Sequence, residues 1–177
     1  MAEPRRAANQ YLTFTLDRER YALDIFTVRE VLEFISITRI PRTPEHMRGI
    51  INVRGNAVPV VDLNRKFGKA MTEQTILTSI IIVEVLLEGE KTTIGALADS
   101  VQEVIEMREE QIQPAPRMGT SIKADYLKGM GELDERFVMI LDIDRLFTAE
   151  ELASMTAVGG MGAAQACAQG AEATAPA

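Results

Sequence analysis

The sequence has few of the residues on which catalytic and metal sites depend. Its 177 residues include one cysteine, Cys167, one histidine, His46, and no tryptophan. A single cysteine cannot form an internal disulfide, and one histidine supplies neither a metal site nor a nucleophilic triad. There is also no glycine-rich phosphate loop. We therefore predict that the protein is not an enzyme, uses no cofactor and works in a reducing cytoplasm.

Positive charge and long apolar runs are also scarce. The chain carries 19 Lys and Arg against 26 Asp and Glu, which gives a formal net charge of −7. A broad nucleic-acid surface needs the opposite balance, so we predict no nucleic-acid partner. The longest apolar run begins at Ile80 and is interrupted by Glu84. Because a spanning helix takes about 20 apolar residues, we expect no direct membrane insertion.

The apolar residues that are present alternate with polar ones, with a period of two. Leu12, Phe14 and Leu16 show the pattern first, and it is typical of half-buried strands. It returns, after short turns, at 21–25, 58–63 and 80–87. Helices should be short, and we expect them at 44–47, 63–67 and 148–155. Thr148 and Glu151 form a capping-box pattern that supports the start of the last one.

Short segments recur along the chain in a constant order. Val28–Glu33 matches Val101–Glu106 73 positions later, and Arg48-Gly49 matches Lys128-Gly129 80 positions later. The ordered series predicts a duplicated, mainly β fold of two similar five-stranded SH3-like barrels with short helices and a C-terminal helix. We expect a folded domain at 10–155, with the first barrel at about 10–68, the second at about 76–145 and the final helix at about 148–155. The remainder, 156–177, is rich in Ala and Gly and is predicted to be a flexible tail.

One four-residue motif, Asn52-Val53-Arg54-Gly55, lies between two predicted strands. In the simpler interpretation it is a hairpin turn in which Asn begins the turn, Gly accepts a positive φ and Arg points to water. In the functional interpretation the rigid turn holds one guanidinium at a cleft, where it can make forked hydrogen bonds to a partner carboxylate. Spacing alone leaves both interpretations open.

Other polar residues offer weaker candidates for chemistry. Carboxylates such as Glu30 lie in strongly charged stretches, where a solvated surface is the simpler interpretation. Asp62 and Asp142 occupy equivalent strand ends, which suggests a structural cap in both halves. Asp99 or Ser100 could act as a nucleophile, so an esterase-like enzyme is an alternative from a different class, although no base lies near them in sequence.

Three apolar residues allow two interpretations. Leu12, Ile25 and Val28 fit a hydrophobic core, which is the default for such positions. Small barrels have little interior, however, so some strand faces must contact a surface other than the barrel's own core. A partner protein is the natural candidate.

The residues also resemble a known family. The chain from about 10 to 155 is similar to CheW, the bacterial chemotaxis coupling protein family. The match is carried most strongly by Arg48–Leu63, which contains the Asn52–Gly55 motif, and by the stretches at 11–16, 21–25, 37–41, 111–116 and 141–146. The resemblance implies a non-enzymatic scaffold of two SH3-like barrels.

The resemblance also implies partners and their binding residues. Members of the family couple methyl-accepting chemotaxis receptors, through the receptors' cytoplasmic tip, to the regulatory domain of the histidine kinase CheA. We therefore expect a cytoplasmic adaptor that its protein partners recruit to membrane receptor arrays and that transmits receptor state to kinase activity. By position in the family pattern, the expected receptor-binding residues are Glu30, Asn52, Arg54, Gly55 and Val104. The expected kinase-binding residues are Leu12, Ile25, Val28, Gln113 and Met118.

The chain departs from the family at two of these positions. Gln113 and Met118 lie where relatives can use an Arg and a Phe, so the second kinase contact lacks a charge and a flat ring. Two alternatives remain within the signalling class. The chain could serve a non-motility chemosensory pathway, or it could be a detached regulatory domain of a CheA-like kinase.

Overall fold

The computed structural model describes residues 8–87, 89–114, 124–147 and 151. The chain is mainly β, as predicted, with ten strands and a few helices of one turn. The strands are β1 Asn9–Leu16, β2 Glu19–Asp24, β3 Val28–Glu33, β4 Met47–Val53, β5 Asn56–Asp62, β6 Ser79–Leu87, β7 Glu90–Ala98, β8 Ser100–Met107, β9 Leu127–Leu133 and β10 Arg136–Leu141. The α-helices are α1 Leu63–Lys66 and α2 Ile143–Leu146, and 3-10 helices cover Ile25–Thr27, Glu109–Gln111 and Ala124–Tyr126.

The strands form two five-stranded sheets with the same pattern of pairing. The first sheet has the order β8-β1-β2-β10-β9 and the second has the order β3-β6-β7-β5-β4. Each sheet contains one parallel pair, β2 with β10 and β5 with β7, while its other pairs are antiparallel. Strands that occupy the same place in the two orders also match in sequence: β3 corresponds to β8, and β4 and β5 correspond to β9 and β10.

The two sheets exchange strands between the repeats. The first sheet joins the β1–β2 hairpin to β8, β9 and β10, and the second joins the β6–β7 hairpin to β3, β4 and β5. The observed sheets therefore differ from the consecutive ranges 10–68 and 76–145. A repeat specifies which segments are equivalent but not whether a strand pairs within its own repeat or with the other. The 3-10 helix Ile25–Thr27 carries the chain from one sheet to the other.

The two sheets are not closed barrels, although the predicted class, mainly β with two five-stranded units and short helices, is confirmed. In the second sheet, an isolated bridge between Thr38 and Ile50 links the segment after the edge strand β3 to the opposite edge strand β4. In the first sheet, Gln113 and Met130 form the matching bridge between the segment after β8 and β9. One bridge gives only a pair of backbone hydrogen bonds, so each sheet curls toward a barrel without forming a continuous ladder.

Glycines lie beside both bridges because the chains approach too closely for a side chain. A Cβ at Gly49 would lie 2.1 Å from the carbonyl oxygen of Thr38, and Gly49 has a φ of +142°. At the equivalent position, a Cβ on Gly129 would lie 2.5 Å from the Ile112 side chain. The Arg48-Gly49 and Lys128-Gly129 segments of the sequence repeat thus mark the points at which each sheet curls.

The largest core cluster lies between the two sheets. It takes side chains from the β1–β2 hairpin, including Phe14 and Tyr21, and from the β6–β7 hairpin, including Ile81 and Ile94. There are two smaller clusters, one formed by strands of the first sheet and the other by strands of the second. Since the hairpins that pack together belong to different repeats, the central core joins the two halves of the chain.

The short elements agree only in part with the sequence analysis. Helix α1 lies where a helix was predicted at 63–67, and Asp62 and Asp142 cap α1 and α2 as expected. The helix predicted at 44–47 is wrong: this segment is a turn closed by a hydrogen bond from the Met47 amide to the Pro44 carbonyl. Met47 is already the first residue of β4, so the segment has only Glu45 and His46 left between Pro44 and the strand, which is enough for a turn but not for a helical turn. Except for residue 151, the predicted helix at 148–155 lies outside the described residues, as does the tail at 156–177.

No helix in the described ranges is both long and apolar enough to cross a membrane.

We predict that Gly49→Ala destabilises the fold by about 3 kcal/mol, because the new methyl group would meet backbone at the bridge and not a movable side chain. Urea unfolding would measure the change. Gly68→Ala is the matched control, since Gly68 also has a positive φ, +79°, but has open space around its Cβ position. The control should lose only about 1 kcal/mol to backbone strain. Equal losses in the two variants would contradict the close approach.

Candidate functional site

The Asn52–Gly55 motif forms the two-residue turn of the β4–β5 hairpin. Val53 pairs with Asn56, which leaves Arg54 at φ +51° and Gly55 at φ +86°. Two positive φ angles are typical of a type I′ turn, whose twist matches that of the flanking strands. The Asn52 Oδ1 accepts a hydrogen bond from the Gly55 amide at 2.8 Å and fixes the turn. The motif is therefore a rigid hairpin turn, and Arg54 lies at its tip.

Arg54 forms an ion pair with Glu30, so two of the expected receptor-binding residues lie together. The Arg54 Nη2 is 3.1 Å from the Glu30 Oε2. The Arg54 side chain is 79% exposed, whereas that of Glu30 is 25% exposed. Glu30 is on β3 and Arg54 follows β4, and these are the two edges of the second sheet. The pair thus spans the opening of the sheet and leaves most of the guanidinium's five donors available to a partner.

Val104 lies in the other sheet. It is on β8, opposite Leu12 in the pairing with β1, and it is 48% exposed. Because β8 is an edge strand equivalent to β3, Val104 matches Val31, which is also exposed. The expected receptor-binding residues are therefore divided: Glu30, Asn52, Arg54 and Gly55 form one cluster on the second sheet, and Val104 is an exposed apolar residue on the first.

The expected kinase-binding residues are less accessible. Leu12 is 6% exposed and belongs to the central core. Ile25 and Val28 are partly buried and pack against the same core. Gln113 is exposed and forms the bridge to Met130 with its backbone, while Met118 lies outside the described residues. The core interpretation that the sequence left open therefore describes Leu12, whereas Ile25 and Val28 lie at the core margin.

The most prominent apolar residue next to this group, Phe26, was not predicted from the sequence. Phe26 is 88% exposed in the 3-10 helix between Ile25 and Val28. Asp24 caps this helix: its Oδ1 accepts from the Phe26 amide at 3.0 Å and its carbonyl accepts from the Thr27 hydroxyl at 2.7 Å. The signal in the sequence was the adjacent pair Ile25-Phe26. A strand that alternates buried and exposed positions cannot bury both residues.

The alternative catalytic residues are engaged in structural hydrogen bonds. Both carboxylate oxygens of Asp99 accept hydrogen bonds, from the Asp17 amide at 2.7 Å and from the Asn64 Nδ2 at 3.0 Å. The Ser100 Oγ lies 2.5 Å from the Thr15 hydroxyl. Across the part of the chain that the structure describes, no three His, Cys, Asp or Glu side chains are arranged to hold a metal ion.

Comparisons with known proteins agree with this arrangement of strands and turns. The family described as the CheW-like domain matches residues 10–151, and this range contains the Arg54 turn and, apart from Asn9, all ten strands described here. The chain belongs to the CheW family.

Relatives of the chain are found in distant bacteria. The chemotaxis protein CheW of Klebsiella aerogenes is 35% identical over 147 residues, which cover 81% of this chain and 84% of that protein. The chemotaxis protein CheW of Treponema pallidum is 30% identical over 145 residues, with coverages of 81% and 84%. Among solved structures, the scaffolding protein TtCheW of Thermoanaerobacter tengcongensis is 36% identical and superposes with a TM-score of 0.74, covering 85% of this chain and 96% of that one.

Several charges on the CheW fold are held by ion pairs. Glu84 on β6 forms ion pairs with Arg29 on β3 and with Lys91 on β7. Burial raises the pKa of the Glu84 carboxyl, but the hydrogen bonds and charges of the two cations outweigh it and hold this pKa below its usual 4.5. Burial likewise raises the pKa of Glu19, and hydrogen bonds from Lys69 and Tyr21 reverse the effect and lower it. These carboxylates are therefore charged at neutral pH.

The single histidine lies in a partly buried cluster beside α1. The His46 Nε2 is 3.6 Å from the Glu151 Oε1, and the Lys66 Nζ donates to both Glu151 oxygens at 2.6 and 2.7 Å. Burial lowers the pKa of His46 below 6.5, and the positive charge of Lys66 lowers it further, whereas Glu151 acts in the opposite direction. His46 therefore resists protonation in the folded protein.

We predict that His46 makes the fold less stable as the pH falls from 7.5 to 5.5. In this range the unfolded chain binds a proton near pH 6.5 and the folded chain, in which the pKa of His46 is lowered, binds it less readily, so protonation favours unfolding. The free energy of unfolding, measured by urea titration at each pH, should fall less steeply in His46→Gln than in the unmodified chain. Glu19 and Glu84 contribute little to this slope, because their lowered pKa values lie below the pH range of the measurement. Identical slopes in the two proteins would contradict the prediction.

Proposed function

We propose that this CheW-family chain is a non-enzymatic adaptor that couples methyl-accepting chemotaxis receptors to the histidine kinase CheA in signalling arrays. The observation that carries the proposal is the Arg54–Glu30 pair, an exposed guanidinium held by a rigid turn across the opening of the second sheet. The adaptor acts in the cytoplasm, is recruited to membrane arrays by its protein partners and needs no cofactor.

The receptor contact uses the Arg54 turn. A positive φ at both turn residues and the Asn52–Gly55 hydrogen bond restrict the backbone, so little conformational entropy is lost when a partner binds. Glu30 binds one nitrogen of the Arg54 guanidinium, Nη2, and so orients the group. The remaining donors of Arg54 are left for a forked contact with a receptor carboxylate. Val104 adds an exposed apolar contact from the edge of the first sheet.

The kinase contact uses the segment that crosses between the sheets. Phe26 projects from it, and Ile25 and Val28 support it from the core margin. Exposed aromatic residues with a packed base are typical anchors of protein interfaces. Gln113 contributes an exposed residue near the edge of the first sheet, and Leu12 acts through the core that positions these residues.

The two contacts are close enough in the chain to communicate. Val28 and Glu30 are two residues apart on β3, and the pairing of β3 with β6 shifts register between them. A change in how the receptor holds Arg54 and Glu30 would act on the strand that begins next to Phe26. Receptor state would then bias kinase activity by favouring one of two arrangements of the assembly.

We predict that Arg54→Ala loses receptor coupling while the fold stays intact. Receptor-bearing membranes would be sedimented with CheA and each variant, and the kinase in the pellet would be measured. Arg54→Ala should recruit much less kinase than the unmodified chain, and its unfolding free energy should change by less than about 1 kcal/mol because exposed ion pairs contribute little.

Arg18→Ala is the matched control for this experiment. Arg18 is an exposed arginine with φ +68° in the two-residue turn between β1 and β2. Replacing it with Ala therefore removes the same charge from the same kind of turn. This variant should recruit kinase normally. Full recruitment by a folded Arg54→Ala, or an equal loss in both variants, would refute the role of Arg54.

We also predict that Phe26→Asp weakens CheA binding by about tenfold or more, since buried aromatic anchors at interfaces contribute about 2 kcal/mol each. Calorimetry with the isolated kinase would measure the affinity. Phe26 tests the interface better than Val28, because Val28 packs against the core and a charge there would also destabilise the fold. Phe137→Asp is the control, since Phe137 is a second exposed phenylalanine, on β10. An unchanged affinity for Phe26→Asp would remove this segment from the kinase interface.

A further inference from the structure

A second positively charged site lies away from the Arg54 turn. A cleft of about 740 Å³ lies between the loop that precedes β4 and the segment that follows β5, and its lining includes residues 39–45. The prolines Pro41 and Pro44 restrict this loop, and the Thr43 hydroxyl donates to the Ile40 carbonyl at 2.9 Å. The conformation of the loop that lines the cleft is therefore restricted by a local hydrogen bond and by its two proline rings.

The charge of the cleft is opposite to that of the chain. Its lining holds Arg39, Arg42, Arg48 and Arg65 but one carboxylate, Glu45, on a chain with a net charge of −7. Arg65 pairs with Glu45, and the Arg48 Nη1 lies 3.8 Å from the buried Asp62. Arg39 and Arg42 are exposed and have no ion pair among residues 8–87, 89–114, 124–147 and 151. Two guanidiniums are thus open to an anionic partner.

Arg42 occupies a backbone conformation that favours glycine. Its φ is +63°, directly after Pro41. A non-glycine residue in this region costs about 1 kcal/mol, and glycine would form the same turn without that cost. Among the described non-glycine residues with a positive φ, Arg42 alone lies outside a two-residue hairpin turn, where such angles belong to the turn itself. Strained residues of this kind cluster at ligand-binding sites, which suggests a role for the Arg42 side chain.

We propose that this cleft binds an extended acidic segment of a partner protein. Arg39 and Arg42 would form forked hydrogen bonds with Asp or Glu carboxylates of the segment. The apolar lining, which includes Ile40, Met47 and Met71, would hold the side chains between those carboxylates. A small free anion such as phosphate would use the arginines alone and leave this apolar surface uncovered, so a peptide fits the whole cleft better.

The cleft is separate from the proposed receptor contact. It shares no lining residue with the Arg54–Glu30 pair. Met47 and Arg48 lie at the start of β4, while Arg54 follows its end, and six residues of strand place them about 20 Å apart. The two positive sites can therefore be occupied at the same time.

The test selects peptides from a random dodecamer library on the immobilised full chain. We expect the selected peptides to be enriched in Asp and Glu. A fluorescein-labelled selected peptide should bind with an affinity that falls by about tenfold or more in the double variant Arg39→Ser/Arg42→Gly. The double variant should be at least as stable as the unmodified chain, because Gly relieves the backbone at position 42.

A matched double variant separates this site from general electrostatic attraction. Arg18→Gly/Arg136→Ser removes two exposed arginines elsewhere, one of them also from a positive φ, and should bind the peptide normally. Equal losses in the two variants, or no enrichment of acidic residues, would overturn the proposal. Displacement of the peptide by millimolar inorganic phosphate would assign the cleft to free anions instead. A dimer of the full chain that dissociates in Arg39→Ser/Arg42→Gly would assign it to a second copy.

Discussion

The exchange of strands between the two repeats is the constraint on which the rest of the structure depends. The β1–β2 hairpin pairs with β8 and β10, and the β6–β7 hairpin pairs with β3 and β5, so neither repeat completes a sheet alone. The two hairpins then pack against each other in the central core. Because both the ladders and the core join distant parts of the chain, the sheets stabilise each other and should unfold as one unit.

The exchange also places the proposed binding residues. The chain must cross from the first sheet to the second after β2, and the three-residue helix that makes the crossing exposes Phe26. The next strand, β3, becomes an edge strand, which brings Glu30 opposite the turn that follows the other edge strand. The proposed receptor contact would therefore lie at the edges of the second sheet and the proposed kinase contact at the crossing between the sheets, and not on the centre of either sheet.

Local sequence patterns predicted strands, turns and helix caps. The pairing of strands that are distant in the chain could not be predicted in this way. Alternation at 12–16, the turn at Arg54 and the caps at Asp62 and Asp142 are local, and the structure contains each of them. The exchange was not predictable, because equivalent segments look alike whichever repeat they pair with. The exposure of Phe26 was also missed, and the sequence left open whether Leu12 faces the core or a partner, since sheet packing and not residue type decides exposure.

The charge of the chain argues for contacts that act at short range. At physiological salt, a net charge of −7 is screened beyond about 8 Å, so it opposes an acidic partner only weakly at a distance. Many cations are paired within the fold, such as Lys66 with Glu151 and Lys69 with Glu19. Arg39 and Arg42, by contrast, have no ion pair among the described residues, and Arg54 is paired with Glu30 but mostly exposed, so all three present donors from loops of the second sheet. An acidic partner would then be recognised by the fixed orientation of a few guanidiniums and not by the overall field, which favours specificity over the rate of association.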